Sequence, residues 1–164
     1  MKLNRKKTRK LLFQKLYAMS FWNFDNQSFT ESFYDGVFNF DMDKVYYNEM
    51  SELIVKNEGF YLEILSKYAP KFELSSMNIM YVLPIYIGLA EMFHLTEEIP
   101  AKVSINESVE ISKAFWDDSA KKIVNGVLNN VYKHFDELKE LNRNWDHNND
   151  FSLFSTNDTN KKTV

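Results

Sequence analysis

The sequence predicts an all-α protein of about seven helices in two packed helical subdomains, followed by a disordered polar tail. Three observations lead there. Apolar residues recur at i, i+3 and i+4 along most of the chain. Only 4 Gly and 3 Pro punctuate 164 residues, too few for the turns of a sandwich or barrel. Hydrophobic residues make up 45%, and 14 Phe with 9 Tyr supply enough apolar surface for a sizeable core.

The first helix is expected over residues 4–21, where Leu12, Leu16 and Met19 share one face beside Phe13, Tyr17 and Phe21. Arg5, Arg9, Phe13 and Tyr17 follow one i, i+4 row, a ridge on which cations and an aromatic ring can meet a phosphate backbone and a base. Phe13 reads as core and Tyr17 as outward-facing. A short helix around residues 30–37 is expected from Thr30 as cap. The run Asn39-x-Asp41-x-Asp43 resembles a calcium loop, but Lys44 and Met50 stand where Gly and Glu are required. Residues 45–56 and 59–69 read as two helices, closed by Pro70. That proline marks the boundary between an N-terminal subdomain (1–69) and a C-terminal one (70–141).

Ser75 or Ser76 is expected to cap the next helix, which runs towards Phe93 with a kink or break at Pro84. A helix over 106–116 is expected behind a Ser104 cap, with Glu107 at capping-box spacing. A last helix spans 119–141, with an apolar stripe from Ile123 through Val127 and Val131 to Phe135. Residues 142–164 are polar, lack sustained periodicity and read as disordered tail.

The net charge of −3 conceals an asymmetry. Residues 1–15 carry seven basic residues and no acid, which leaves 13 of the 20 cations against all 23 acids in the remainder, a net of −10. A basic arm on an acidic body is a footprint of polyanion binding; the alternative is a solvated terminus. The absence of Cys excludes disulfides, thiolate metal sites and cysteine nucleophiles. No stretch approaches the roughly 20 apolar residues of a membrane span, and no signal peptide is evident. His94, His134 and His147 lack metal-ligand spacing, and no nucleophile, base and orienting group converge in any known pattern. The expectation is a non-enzymatic protein with no cofactor and no metal.

The segment Ile99-Pro-Ala-Lys-Val-Ser-Ile-Asn-Glu-Ser-Val-Glu-Ile-Ser-Lys-Ala-Phe115, followed by Lys122-Ile-Val-Asn-Gly-Val-Leu128, resembles the signature of the NusB family. Arg5-Lys-Lys-x-Arg9 with Gln14-x-Leu-Tyr17 is similar to that family's basic first helix, and Glu91 to the Glu of its Y-E pair. The resemblance implies two three-helix bundles side by side. It further implies a cytoplasmic antitermination factor that binds boxA-type single-stranded RNA of ribosomal RNA leaders. The implied protein partners are ribosomal protein NusE and the RNA polymerase antitermination complex. It leaves open a monomer or a homodimer.

By resemblance, the RNA surface comprises Arg5, Lys6, Lys7, Arg9, Tyr17, Lys113, Phe115, Lys121 and Lys122. The cations would contact phosphates, and Tyr17 with Phe115 would stack on bases. Ile105, Asn106, Val109, Asn125 and Gly126 are expected to be scaffold. Gly126 in mid-helix would permit close approach of a second helix, with Asn106 and Asn125 as hydrogen-bonding partners between helices. Ile123 stands where the family has an RNA-facing Phe, and Trp116 where it has Gly. Tyr81, Pro84 and Tyr86 depart from the family at its partner-binding helix. Two other readings remain: a helical adaptor whose arm binds protein, and the NusB-like part of a ribosomal RNA methyltransferase, which requires the chain to be a fragment.

Overall fold

A computed structural model describes residues 2–21, 41–69, 73, 78–147 and 152–154. Among these residues the architecture is all-α, with six helices and no strand. The expected helix at 30–37 and the Ser75 and Ser76 caps lie outside the described residues.

Helix α1 is Arg5–Met19. Asn4 caps it by accepting a hydrogen bond from the Lys7 amide at 3.0 Å, and Leu11, Leu12, Phe13 and Leu16 are buried. Helix α2 is Lys44–Tyr68, a single 25-residue helix where the sequence suggested two. Asp43 caps it through the Tyr46 amide at 3.1 Å. Gly59 does not interrupt it, because one interior Gly costs only about 1 kcal/mol and the buried Phe60, Tyr61, Ile64 and Leu65 around it outweigh that. Ala69, the residue before Pro70, is extended (ψ 123°) and ends the helix.

Helix α3 is Ile79–His94 and runs through Pro84. Its cap is Asn78, whose side chain accepts from the Met80 amide at 2.9 Å. Every residue from Val82 to Met92 is buried, and α1, α2 and the two helices that follow all pack on it. Burial on all sides offsets the hydrogen bond that Pro84 denies to the Met80 carbonyl. Helix α4 is Ala101–Phe115. It starts three residues before the expected Ser104 cap, directly after Pro100 (φ −60°, ψ 142°), so Ser104 lies buried inside it. Helix α5 is Asp118–Lys133 and α6 is Phe135–Arg143. The expected single last helix therefore divides at His134 (φ −112°, ψ 25°), and the turn brings Phe135 to 5.2 Å from Phe93 between ring centroids.

The close approach between helices occurs at Gly88, not Gly126. A Cβ on Gly88 would lie 2.6 Å from Ser108 Oγ and 2.8 Å from Leu128 Cδ1. Ser104, Ser108 and Ser112 form an i, i+4 row of fully buried small side chains on α4, which keeps that contact short. Gly126 is exposed, and a Cβ there would meet nothing within 4 Å. Asn106 is exposed as well, and Asn125 bonds along its own helix to Asn129 at 2.9 Å. The expected Asn106–Asn125 pairing between helices is thus absent.

Part of the stretch expected as tail is packed. Trp145 meets Phe60 at 5.8 Å, and Leu153 is buried. The fully buried Glu58 on α2 accepts hydrogen bonds from Tyr86 OH at 2.9 Å, from the Leu153 amide at 3.0 Å and from Ser152 Oγ. Burial raises the Glu58 carboxyl above its ordinary range, and these three donors oppose the shift.

Candidate nucleic-acid interface

The basic arm separates into cations that belong to the scaffold and cations that face water. Arg9 is 5% exposed. Its Nε donates to Glu91 Oε1 at 2.7 Å, and Nη1 lies 3.7 Å from Glu107 Oε2. Tyr46 OH donates to the same Glu91 oxygen at 2.8 Å. Glu91 is itself fully buried, so Arg9 is its compensating charge. Burial alone would lower the Arg9 pKa, but Glu91, Tyr46 and Glu107 more than reverse it and keep the guanidinium charged. Arg9 therefore tethers α1 to α3 and α4, and its expected role as a phosphate contact is corrected.

Arg5 is half committed in the same way. Nη2 and Nε reach Asp43 Oδ2 at 2.6 and 3.1 Å, and Nη1 reaches Glu98 at 2.7 Å. Burial would raise the Asp43 carboxyl, but Arg5 and the Tyr46 amide hold it below its usual range. The Arg5 guanidinium also lies 4.8 Å from the Tyr46 ring centroid. Its place is the junction of α1 with the start of α2, not an open phosphate site. Lys15 is 5% exposed; its Nζ donates to Ser51 Oγ at 2.9 Å and lies over the Tyr47 ring at 4.7 Å. Burial pushes its pKa down to about 8.

Lys6 and Lys7 remain at the surface, and Lys10 is half-buried. They occupy the first half of α1, whose first turn holds no acid. Cations there oppose the helix macrodipole, an arrangement that fold stability alone does not favour. At 100° per residue, Lys6, Lys10 and Tyr17 lie on one stripe, and Phe21, just past the helix end, meets Tyr17, so the ridge that faces out is rotated from the Arg5–Arg9 row. Lys10 was not singled out from the sequence; its half-exposed position on this stripe identifies it.

Aromatic rings continue the stripe. Phe115 at the end of α4 stacks on buried Phe13 at 4.6 Å and 20°. Phe13 lies parallel to Tyr17 at 6.4 Å, and Tyr17 meets Phe21 at 4.9 Å. The series runs from the core to rings that are 38% and 52% exposed at Tyr17 and Phe21. Trp116, next to Phe115, is half exposed. Exposed aromatic faces backed by a packed ring are the usual platform for an unpaired base.

Lys113, Lys121 and Lys122 flank the turn between α4 and α5. Lys113 is exposed and 3.4 Å from Glu110, a surface pair of little energetic weight. Lys122 is exposed and Lys121 half-buried. The turn itself is fixed by Asp117, whose side chain accepts from the amides of Ser119 at 3.0 Å and Ala120 at 3.2 Å and from the Ser119 hydroxyl. The Ser119 hydroxyl and these amides hold the Asp117 carboxyl below its usual range. Ile105 and Val109 are buried in the face of α4 below this turn, and Ile123 is half-buried against the core. Among the described residues no three His, Asp or Glu side chains converge as a metal site. No helix among them is long and apolar enough to cross a membrane.

Comparison with known proteins gives one consistent result. The profile described as "NusB family" matches residues 6–133. A transcription antitermination protein NusB of Dictyoglomus turgidum is 29% identical over 143 residues, 84% of this chain and 87% of its own length. The same-named proteins of Chloroherpeton thalassium and Bacillus thuringiensis are 41% identical over 68 residues and 34% over 77 residues. These cover 42% and 47% of this chain, and 32% and 58% of theirs.

Proposed function

The chain belongs to the NusB family, and on that premise we propose that it is a non-enzymatic transcription antitermination factor that binds boxA-type single-stranded RNA. It does so together with ribosomal protein NusE, within the RNA polymerase antitermination complex and hence in the cytoplasm. The observation that carries the RNA reading is the aromatic series Phe115–Phe13–Tyr17–Phe21, which ends in exposed rings beside surface lysines. Tyr17 and Phe115 stack on or brace the bases. Lys6, Lys7, Lys113, Lys121 and Lys122 contact phosphates, with Lys10 added from the geometry. Trp116 offers an exposed ring at the turn before α5, the helix that carries Ile123 in place of an aromatic residue.

Filter binding of a boxA-type RNA against a scrambled RNA of equal length, with and without NusE, tests this reading. The boxA-type RNA is expected to bind more tightly, and NusE to widen the difference. Equal affinity for both RNAs in both conditions overturns it.

A further inference from the structure

Gly126 is a helix-weakening residue with no internal reason to be there. It lies inside α5, is exposed, has open space where a Cβ would sit and does not adopt the left-handed backbone conformation that favours glycine. Gly88, in contrast, is required by packing. A merely solvated helix face is served best by Ala, Glu, Lys or Gln. At 100° per residue, Lys122, Asn125, Gly126, Asn129, Tyr132 and Lys133 all fall on one outward stripe of α5. Three of the six are poor helix formers, two are cations, and one is a Tyr that is 46% exposed.

The stripe has the chemistry of a single-stranded RNA path. Its only acid is Asp118 at the N-terminus, where the helix dipole accounts for it. Asn129 Nδ2 donates to Asn125 Oδ1 at 2.9 Å and to the Asn125 carbonyl at 2.8 Å. That bond fixes both amides and leaves the Asn125 Nδ2 donor and the Asn129 Oδ1 acceptor without a hydrogen bond among the described residues. A paired donor and acceptor in fixed orientation suits a base edge. The bare backbone at Gly126 admits a sugar or phosphate closer than any side chain would allow. Lys122 and Lys133 bracket the stripe with positive charge, which matches a polyanion.

We infer that the outer face of α5, from Lys122 through Gly126 to Lys133, is a further segment of the RNA-binding surface. There the strand lies against helix backbone at Gly126 and a base edge is read by the Asn125–Asn129 pair. This rests on the RNA reading above and extends the contact surface beyond the turn that precedes α5.

The experiment compares Gly126→Ala, Asn129→Ala and a Lys113→Ala/Lys121→Ala variant with the full wild-type chain. Each is measured for thermal midpoint, for affinity towards the boxA-type RNA and for affinity towards NusE. Gly126→Ala and Asn129→Ala improve helix propensity, so both are expected to raise the midpoint while binding RNA roughly tenfold more weakly, the size of one lost close contact. A raised midpoint with unchanged RNA affinity, while the lysine variant is impaired, overturns this inference and leaves the RNA reading standing. Unchanged RNA affinity with weakened NusE binding overturns it in favour of a protein-facing surface. A wild-type chain that fails to prefer the boxA-type RNA overturns the underlying reading itself.

Discussion

Replacing Arg9 separates scaffold from interface most sharply. In Arg9→Met the Glu91 carboxylate keeps Tyr46 OH at 2.8 Å but loses the guanidinium at 2.7 Å. Its second oxygen, Oε2, is already buried without a hydrogen-bond partner. A fully buried carboxylate stripped of its only close cation among the described residues is destabilising by about 3–5 kcal/mol. For a chain of this size that is a fall in thermal midpoint on the order of 10 °C. Replacing both partners, Arg9→Met with Glu91→Leu, removes the stranded charge and is expected to recover most of the loss, because an apolar pair of similar volume is about as stable as the ion pair. Thermal unfolding followed by circular dichroism at constant pH reads both variants. The salt dependence of RNA binding should not change in Arg9→Met under conditions where it is folded, since the Arg9 charge is 5% exposed and already faces Glu91 and Glu107. A single variant as stable as wild type, or a salt slope that falls with it, would refute the assignment of Arg9 to the scaffold.

The lysines should behave oppositely. Lys6→Ala/Lys10→Ala/Lys113→Ala is expected to leave the thermal midpoint nearly unchanged and to flatten the log–log salt dependence of RNA binding by about 2, at roughly 0.7 per single-strand phosphate contact; an unchanged slope means these cations are only solvated. Gly88→Val drives a branched side chain into Ser108 and Leu128 and should cost about 1–3 kcal/mol through overpacking, read as a shift in urea midpoint. Lys15 supplies a pH dependence. Its folded pKa, about 8, lies below the unfolded value, so between pH 8 and about 9.5 the unfolded chain binds more protons and stability rises with pH, by at most about 1.4 kcal/mol per unit. Lys15→Met should abolish that rise, and a wild-type urea midpoint that is flat or falling across the window contradicts the buried-amine assignment.

The fold class was legible because periodicity and composition report it directly. Boundaries were less so, since they depend on tertiary packing. Nothing local tells that Gly59 sits inside a long helix; the buried Phe60 and Tyr61 that follow it decide the matter. The Ser104–Glu107 spacing imitates a capping box, but Pro100 begins the helix earlier and Ser104 lies buried inside it. The site shows the same limit. An i, i+4 row identifies a ridge without saying which way it points, and the acids that turn Arg9 inward are 82 and 98 residues distant in sequence. One signal was available: Phe13 already read as core, and Arg9 shares its row.

Several positions in this chain defy local optimality, and comparing four of them separates structural causes from others. Gly88 weakens α3 but is demanded by Ser108 and Leu128. Arg9 places a charge in the core but neutralises Glu91. Both departures are resolved inside the fold. Lys6 at the positive end of α1 and the glycine on the outer face of α5 find no such resolution among the described residues. No contact within the described residues repays the dipole conflict at Lys6, and none repays the lost propensity at Gly126. Local rules that are broken without internal compensation are expected at functional sites. A polyanion would supply the missing compensation at both places, since it would neutralise Lys6 and could approach the bare backbone at Gly126. The two faces are therefore better explained together, by one RNA ligand, than either is by solvation.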